Sequence, residues 1–320
     1  MIFVTGCAGF IGSYVVKALC LAGRSVIGID NLNDYYDVRL KEWRLDNLKH
    51  YKNFTFIKGD IEDKEAMSDI FRSNRFDAVI NLAARAGVGA SLKDPFIYAT
   101  TNIVGNLNLL EMCRKYNVEK FVLASTSSLY AGKEMPFKEE MSATTPTSPY
   151  AATKSAAEVM SYTYHYLYGI DVSVLRFFTV YGPAGRPDMS IFRFIKWAME
   201  GRPVEVNGDG TQSRDFTYVE DIAEGAVAAL KKVGHEIINL GGNSPHSLIE
   251  VISLIENTLD KKVKVTNKPF PREDVKATWA NIDKAKTILN WSPRVSLSEG
   301  LNHSIEWARD NQFLVSQIRI

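Results

Sequence analysis

Thr5-Gly6-Cys7-Ala8-Gly9-Phe10-Ile11-Gly12 follows directly on the apolar run Ile2-Phe3-Val4 and opens a segment, residues 11–22, whose apolar residues recur at helical spacing. The glycines Gly6, Gly9 and Gly12 allow a strand to turn tightly into a helix and let backbone amides approach a pyrophosphate. They also permit close helix–strand contact, while the helix N-terminus supplies partial positive charge. The same glycines would suit a plain strand-to-helix turn. Position distinguishes the two readings, because Asp30 closes the second apolar run where a carboxylate can accept both ribose hydroxyls of a dinucleotide. A carboxylate there favours NAD and repels the 2′-phosphate of NADP. Read alone, Asp30 is also an acceptable turn former at a strand end.

Outward from this turn, short apolar runs at 2–5, 25–30, 54–58, 78–82, 120–125 and 172–177 read as strands. The segments 11–22, 65–72, 102–116 and 151–168 read as helices. Strands buried on both faces and separated by helices imply parallel pairing, so the spacing predicts an α/β fold with a doubly wound parallel sheet. Beyond Pro183 the strands shorten (204–206, 237–240, 263–265) and Gly and Pro become more frequent, which reads as a smaller α/β lobe. The expected division is residues 1–177 for the nucleotide-binding domain, with 215–235 packing back onto it, and 178–320 for a substrate-binding lobe.

The composition admits this reading and removes others. The 320 residues include 46% apolar and 23% charged residues, close to the globular average and ample for a core. Lys and Arg number 38 against 37 Asp and Glu, with no basic block, so a nucleic-acid or anionic-membrane surface has no electrostatic footprint. Cys7, Cys20 and Cys113 sit in apolar runs, as buried thiols in a reducing, cytoplasmic setting would. The apolar start lacks a basic leader region and is broken by glycines and Lys17, which argues against a secretory signal. The five histidines are scattered without ligand spacing, so no metal is expected.

Further candidates fall at strand ends, where open α/β sheets bind ligands. Asp60-Ile61 follows the third strand, and Leu82-Ala83-Ala84 follows the fourth with small side chains that leave room for adenine and ribose. Thr126-Ser127-Ser128 ends the fifth strand, where hydroxyls can bond a sugar's reacting oxygen. Tyr150-x-x-x-Lys154 begins a helix after Thr147-Ser148-Pro149, so one turn places both side chains on one face. A neighbouring ammonium favours phenolate over the ordinary tyrosine pKa of about 10 and so makes a general base. Tyr116 and Lys120 have the same spacing but straddle a helix end, so they need not share a face.

Gly6/Gly9/Gly12, Asp30, Thr126, Tyr150 and Lys154 together resemble the extended short-chain dehydrogenase/reductase family over nearly the whole chain. The stretches 30–37, 176–183, 185–189 and 208–218 narrow the resemblance to nucleotide-sugar epimerases that act on UDP-glucuronate. The resemblance implies a Rossmann-type domain holding NAD, with Phe10, Ile11, Asn31 and Asn102 joining the cofactor set. It implies a UDP-binding second lobe, in which Arg214 and Arg272 hold the diphosphate and Asp274 the UDP ribose, and a homodimer paired through the helices 102–116 and 151–168. Thr126 and Tyr150 would face the sugar, and Lys154 would bond the nicotinamide ribose.

Related dehydratases carry an Asp-Glu pair where this chain has Ser127-Ser128-Leu129, so water loss lacks its acid and base. Galactose-type epimerases commonly have Asn where Thr179 stands. A compact hydroxyl there, beside Thr126, Ser127 and Ser128, suits a sugar carboxylate held by several neutral donors, with Arg186 adding charge. Arg186 could equally serve a diphosphate or lie in solvent. C4 epimerisation of UDP-glucuronate is therefore the leading expectation. UDP-glucuronate decarboxylation, UDP-glucose or UDP-N-acetylglucosamine epimerisation, and a non-catalytic NAD sensor remain as alternatives. Arg85 and Gly89-Ala90 depart from the Gln and Arg-Tyr expected of relatives on the sugar side.

Overall fold

The alternation of apolar runs and amphipathic segments is realised as a seven-stranded parallel sheet with two flanking hydrophobic layers. The computed structural model describes residues 1–272 and 274–320. In chain order the strands are β1 (Ile2–Thr5), β2 (Val26–Asp30), β3 (Phe54–Lys58), β4 (Ala78–Asn81), β5 (Lys120–Thr126), β6 (Asp171–Phe177), β7 (Thr179–Tyr181), β8 (Val204–Asn207), β9 (Ser213–Tyr218), β10 (His235–Leu240), β11 (Pro245–Ser247) and β12 (Val265–Lys268). The main sheet runs β10-β6-β5-β4-β1-β2-β3, every pair parallel. Its order reverses between β1 and β4, which opens a crevice at the carboxyl ends of these strands. One face buries Val4, Val15, Leu19 and Ile80, the other Phe3, Val79, Phe121 and Leu123.

The strand at 237–240, assigned from sequence to the second lobe, belongs instead to the main sheet. β10 pairs with β6 from His235↔Val172 to Leu240↔Phe177. Short length and nearby glycines resembled the lobe's other strands, whereas full burial of Ile238, Asn239 and Leu240 marks a strand covered on both faces. The helix Val219–Ala228, which leads into β10, packs on the first helix, Phe10–Leu21.

Residues beyond the main sheet form a three-stranded sheet, β11-β9-β7, and a two-stranded one, β12-β8. The amphipathic helix Ser190–Glu200 lies with them around a core of Phe194, Trp197, Val206 and Ile252. Among the described residues no helix is long and apolar enough to cross a membrane.

Candidate active site

A cleft of about 720 Å³ runs across the carboxyl ends of the main-sheet strands and on to the second lobe. Gly6, Gly9, Phe10, Ile11 and Gly12 line it at one end with Asp30, Asn31, Asp60, Ile61, Leu82, Ala83 and Ala84. Gly6 has φ +67°, a left-handed conformation that costs glycine little, and a Cβ at Gly12 would lie 2.0 Å from the Gly6 carbonyl oxygen. The turn closes only with glycines, and it exposes backbone amides at the start of a helix.

Asp30 is buried beside this turn. Its carboxylate accepts the Ala8 amide (3.2 Å) and the Leu32 amide (2.9 Å), and Lys41 Nζ lies 3.7 Å away. Asn31 Nδ2 donates to Asp60 Oδ2 (2.7 Å), which joins the ends of β2 and β3. Lys41 is a site residue that sequence reasoning missed, since a lysine in the charged helix Val38–Asp46 looks like solvated surface.

The helix Pro149–Tyr168 carries the chemical pair. Ser148 caps it by accepting the Ala151 amide (3.2 Å), and Pro149 occupies the first turn, where its missing N–H costs nothing. Tyr150, Lys154, Thr126, Ser127 and Ser128 all face the cleft. Burial pushes the Tyr150 phenol above its ordinary pKa, while the Thr126 hydroxyl and the Arg186 charge pull it back. Burial moves Lys154 down to about 8, opposed by the Glu158 carboxylate. Lys154 Nζ donates to the Ala124 carbonyl (2.9 Å), and the Arg186 charge adds cationic support for phenolate. Thr126 Oγ1 donates to Ser128 Oγ and accepts the Ser128 amide, each at 3.1 Å, which orders the hydroxyl cluster.

Thr179, Arg186, Arg214 and Asp274 also line the cleft. Arg186 forms a fork with Asp188 (3.0 and 2.6 Å) and stacks over the Tyr35 ring, whose hydroxyl donates to the Ala86 carbonyl (2.5 Å). Arg214 Nη2 bonds Asp274 Oδ1 at 2.7 Å. Two expected residues stand outside the lining. Asn102 is buried behind the wall, where it accepts the Arg85 amide (2.8 Å) and donates to the Arg85 carbonyl and to Thr153. Arg272 is solvent-exposed, next to the lining residue Pro271. Arg193 is a second missed residue. It lines the cleft, lies over the Trp197 ring at 4.5 Å, and has a buried Nε without a partner among the described residues. An arginine among the aromatic and aliphatic residues Ile191, Phe192, Phe194 and Ile195 was its only sequence signal.

A glycine turn at the reversal of a parallel sheet, an acidic end to β2 and a Tyr-Lys pair on a helix beside β5 define an extended short-chain dehydrogenase/reductase. The chain belongs to the family described as GDP-mannose 4,6 dehydratase, whose model matches residues 3–304. It is 55% identical over 318 residues to the UDP-glucuronate 4-epimerase of Thermodesulfobacterium geofontis, covering 99% of this chain and 98% of that protein. The Bacillus cereus UDP-glucuronic acid 4-epimerase, solved with UDP-glucuronic acid and NAD, superposes with a TM-score of 0.91 at 39% identity, covering 97% and 99% of the chains. A Thermotoga maritima UDP-glucose 4-epimerase with UDP-glucose gives 0.89 at 34% identity over 97% and 99%.

Proposed function

We infer that the protein is an NAD-dependent 4-epimerase that interconverts UDP-glucuronate and UDP-galacturonate. The observation that carries this reading is that Thr126, Ser127, Ser128, Thr179 and Arg186 line one cleft with Tyr150, Thr126 and Arg186 acting directly on its phenol, with serines where a dehydratase needs carboxylates. The glycine cradle and Asp30 fit NAD, with Lys41 beside them; NAD, when bound, accepts a hydride at the sugar's C4 and returns it. Tyr150 phenolate takes the proton of the C4 hydroxyl and returns it to the same oxygen after the keto sugar has turned its opposite face to the cofactor, while Thr126 orients that oxygen. Lys154 holds the cofactor ribose. Arg214, Arg193 and Asp274 serve the UDP end.

Oxidation at C4 makes UDP-glucuronate a β-keto acid, which loses carbon dioxide when its carboxylate bond aligns with the carbonyl π system. The neutral hydroxyls hold that carboxylate out of alignment. Arg186 shares its charge with Asp188 and so limits its pull on the group. The unpaired, buried cysteines fit a cytoplasmic protein.

Purified protein given UDP-glucuronate, UDP-glucose or UDP-N-acetylglucosamine without added cofactor tests the assignment. UDP-glucuronate is expected to react fastest. Tyr150→Phe should lose about 10²–10⁴-fold in kcat while keeping its bound NAD. Preferential turnover of a neutral sugar, or full activity in Tyr150→Phe, contradicts the reading.

A further inference from the structure

Beneath the Tyr150–Lys154 pair lies a buried ion pair that the mechanism above does not use. Glu158 follows Lys154 by one helical turn, and its carboxylate takes a fork from Arg176 on β6, Nε to Oε1 at 3.0 Å and Nη2 to Oε2 at 2.7 Å. The Ser125 hydroxyl on β5 also donates to Glu158. All three side chains are buried. Three successive β5 residues thus meet three positions of one helix: Ala124 receives Lys154, Ser125 bonds Glu158, and Thr126 faces Tyr150. Ser125 and Arg176 are register partners across β5 and β6, so both of the carboxylate's donors come from one rung of the sheet.

We propose that the Glu158–Arg176 pair is a positioning device that keeps the buried Lys154 ammonium charged and seated during turnover. The proposal rests on the epimerase reading of Tyr150 and Lys154. The charges form a chain. Arg176 and Ser125 hold the Glu158 carboxylate in place one turn from Lys154, and that carboxylate opposes the desolvation that would discharge Lys154. Beside burial, the Glu158 carboxylate is the charge that bears on Lys154, whose ammonium is seated on the Ala124 carbonyl. Burial lowers the pKa of His235 on β10, so it is neutral in the alkaline range where Lys154 titrates. The Tyr130 ring faces Arg176 at 4.8 Å and carries no charge there.

A lysine required as a cation supports activity below its pKa and loses it as pH rises through that value. Removing the carboxylate lowers the pKa, so the alkaline limb of kcat moves to lower pH. A merely structural pair would scale the whole profile and leave the limb in place. The test is the double variant Glu158→Gln/Arg176→Met, which leaves no unpaired buried guanidinium, read against its parent on a UDP-hexose that the parent converts. The expected result is a downward displacement of the alkaline limb by about one pH unit, about a tenfold loss at its foot, with NAD content and KM near the parent's. Ser125→Ala supplies an independent reading should the double variant fail to fold. It keeps both charges and frees the carboxylate from one donor, so the limb should move upward by about 0.3 unit. A limb that coincides with the parent's in whichever variant folds overturns the proposal. Failure of the activity assignment would show in the parent, before any limb is compared.

Discussion

Thr179 begins β7 at the cleft wall, and its hydroxyl is one of the neutral donors assigned to the substrate carboxylate. Thr179→Ala removes one of these donors without disturbing a charge. Part of the flux should then leave as UDP-pentose and carbon dioxide, because the freed carboxylate can align with the C4 ketone. Carbon dioxide release and product NMR measure this, and a variant that slows without forming pentose would show that Thr179 does not restrain the carboxylate. At this scale the motif residues were legible because each rests on a local requirement: glycine for a turn, small residues at strand ends, or one-turn spacing on a helix. Asn102 and Arg272 were carried by resemblance alone; Asn102 is buried behind the wall, and Arg272 is exposed next to the lining residue Pro271. Lys41 and Arg193 escaped notice because a cation's burial depends on what folds over it, which sequence spacing does not record.

At the scale of elements, the first turn and helix depend on backbone contact that tolerates no side chain. Gly12→Ala would place a Cβ 2.0 Å from the Gly6 carbonyl oxygen, and the obstacle is backbone rather than a flexible side chain. The helix must move off β1, so the variant should be recovered without bound NAD and with a thermal midpoint lower by several degrees. Wild-type NAD content in Gly12→Ala would contradict the cradle. Strongly periodic elements could be read from sequence to within a residue or two. The helix Val38–Asp46 could not, since it lacks an apolar stripe and instead buries Arg44, whose guanidinium donates to the carbonyls of Ala8, Ala184 and Gly185. The expected helix at 102–116 opens with a π-helical stretch, Thr100–Gly105, in which Asn102 turns inward to Arg85 and Thr153. Non-local pairing likewise decided β10, which no local pattern could assign to the main sheet.

At the scale of the molecule, the helix Pro149–Tyr168 leaves Val159, Tyr162 and Tyr166 exposed, and Val104 and Phe96 lie exposed on neighbouring elements. The second lobe does not cover this face. Exposed apolar side chains on one helix and its neighbours suit a partner, and we propose a homodimer formed through them as the assembly. Light scattering should give twice the chain mass at micromolar concentration, and Val159→Glu/Tyr166→Glu should give a monomer that retains its fold. A monomeric parent would contradict the dimer.

The central claim is that C4 is oxidised and reduced within one active site while the sugar keeps its carboxylate. Proton NMR of UDP-glucuronate turnover in deuterium oxide tests this most directly. The expected product is UDP-galacturonate with protium at C4 and C5, since the hydrogen on C4 never exchanges with solvent and C5 is never deprotonated. Deuterium at C4, or a UDP-pentose carrying deuterium at C5 as the main product, would contradict it.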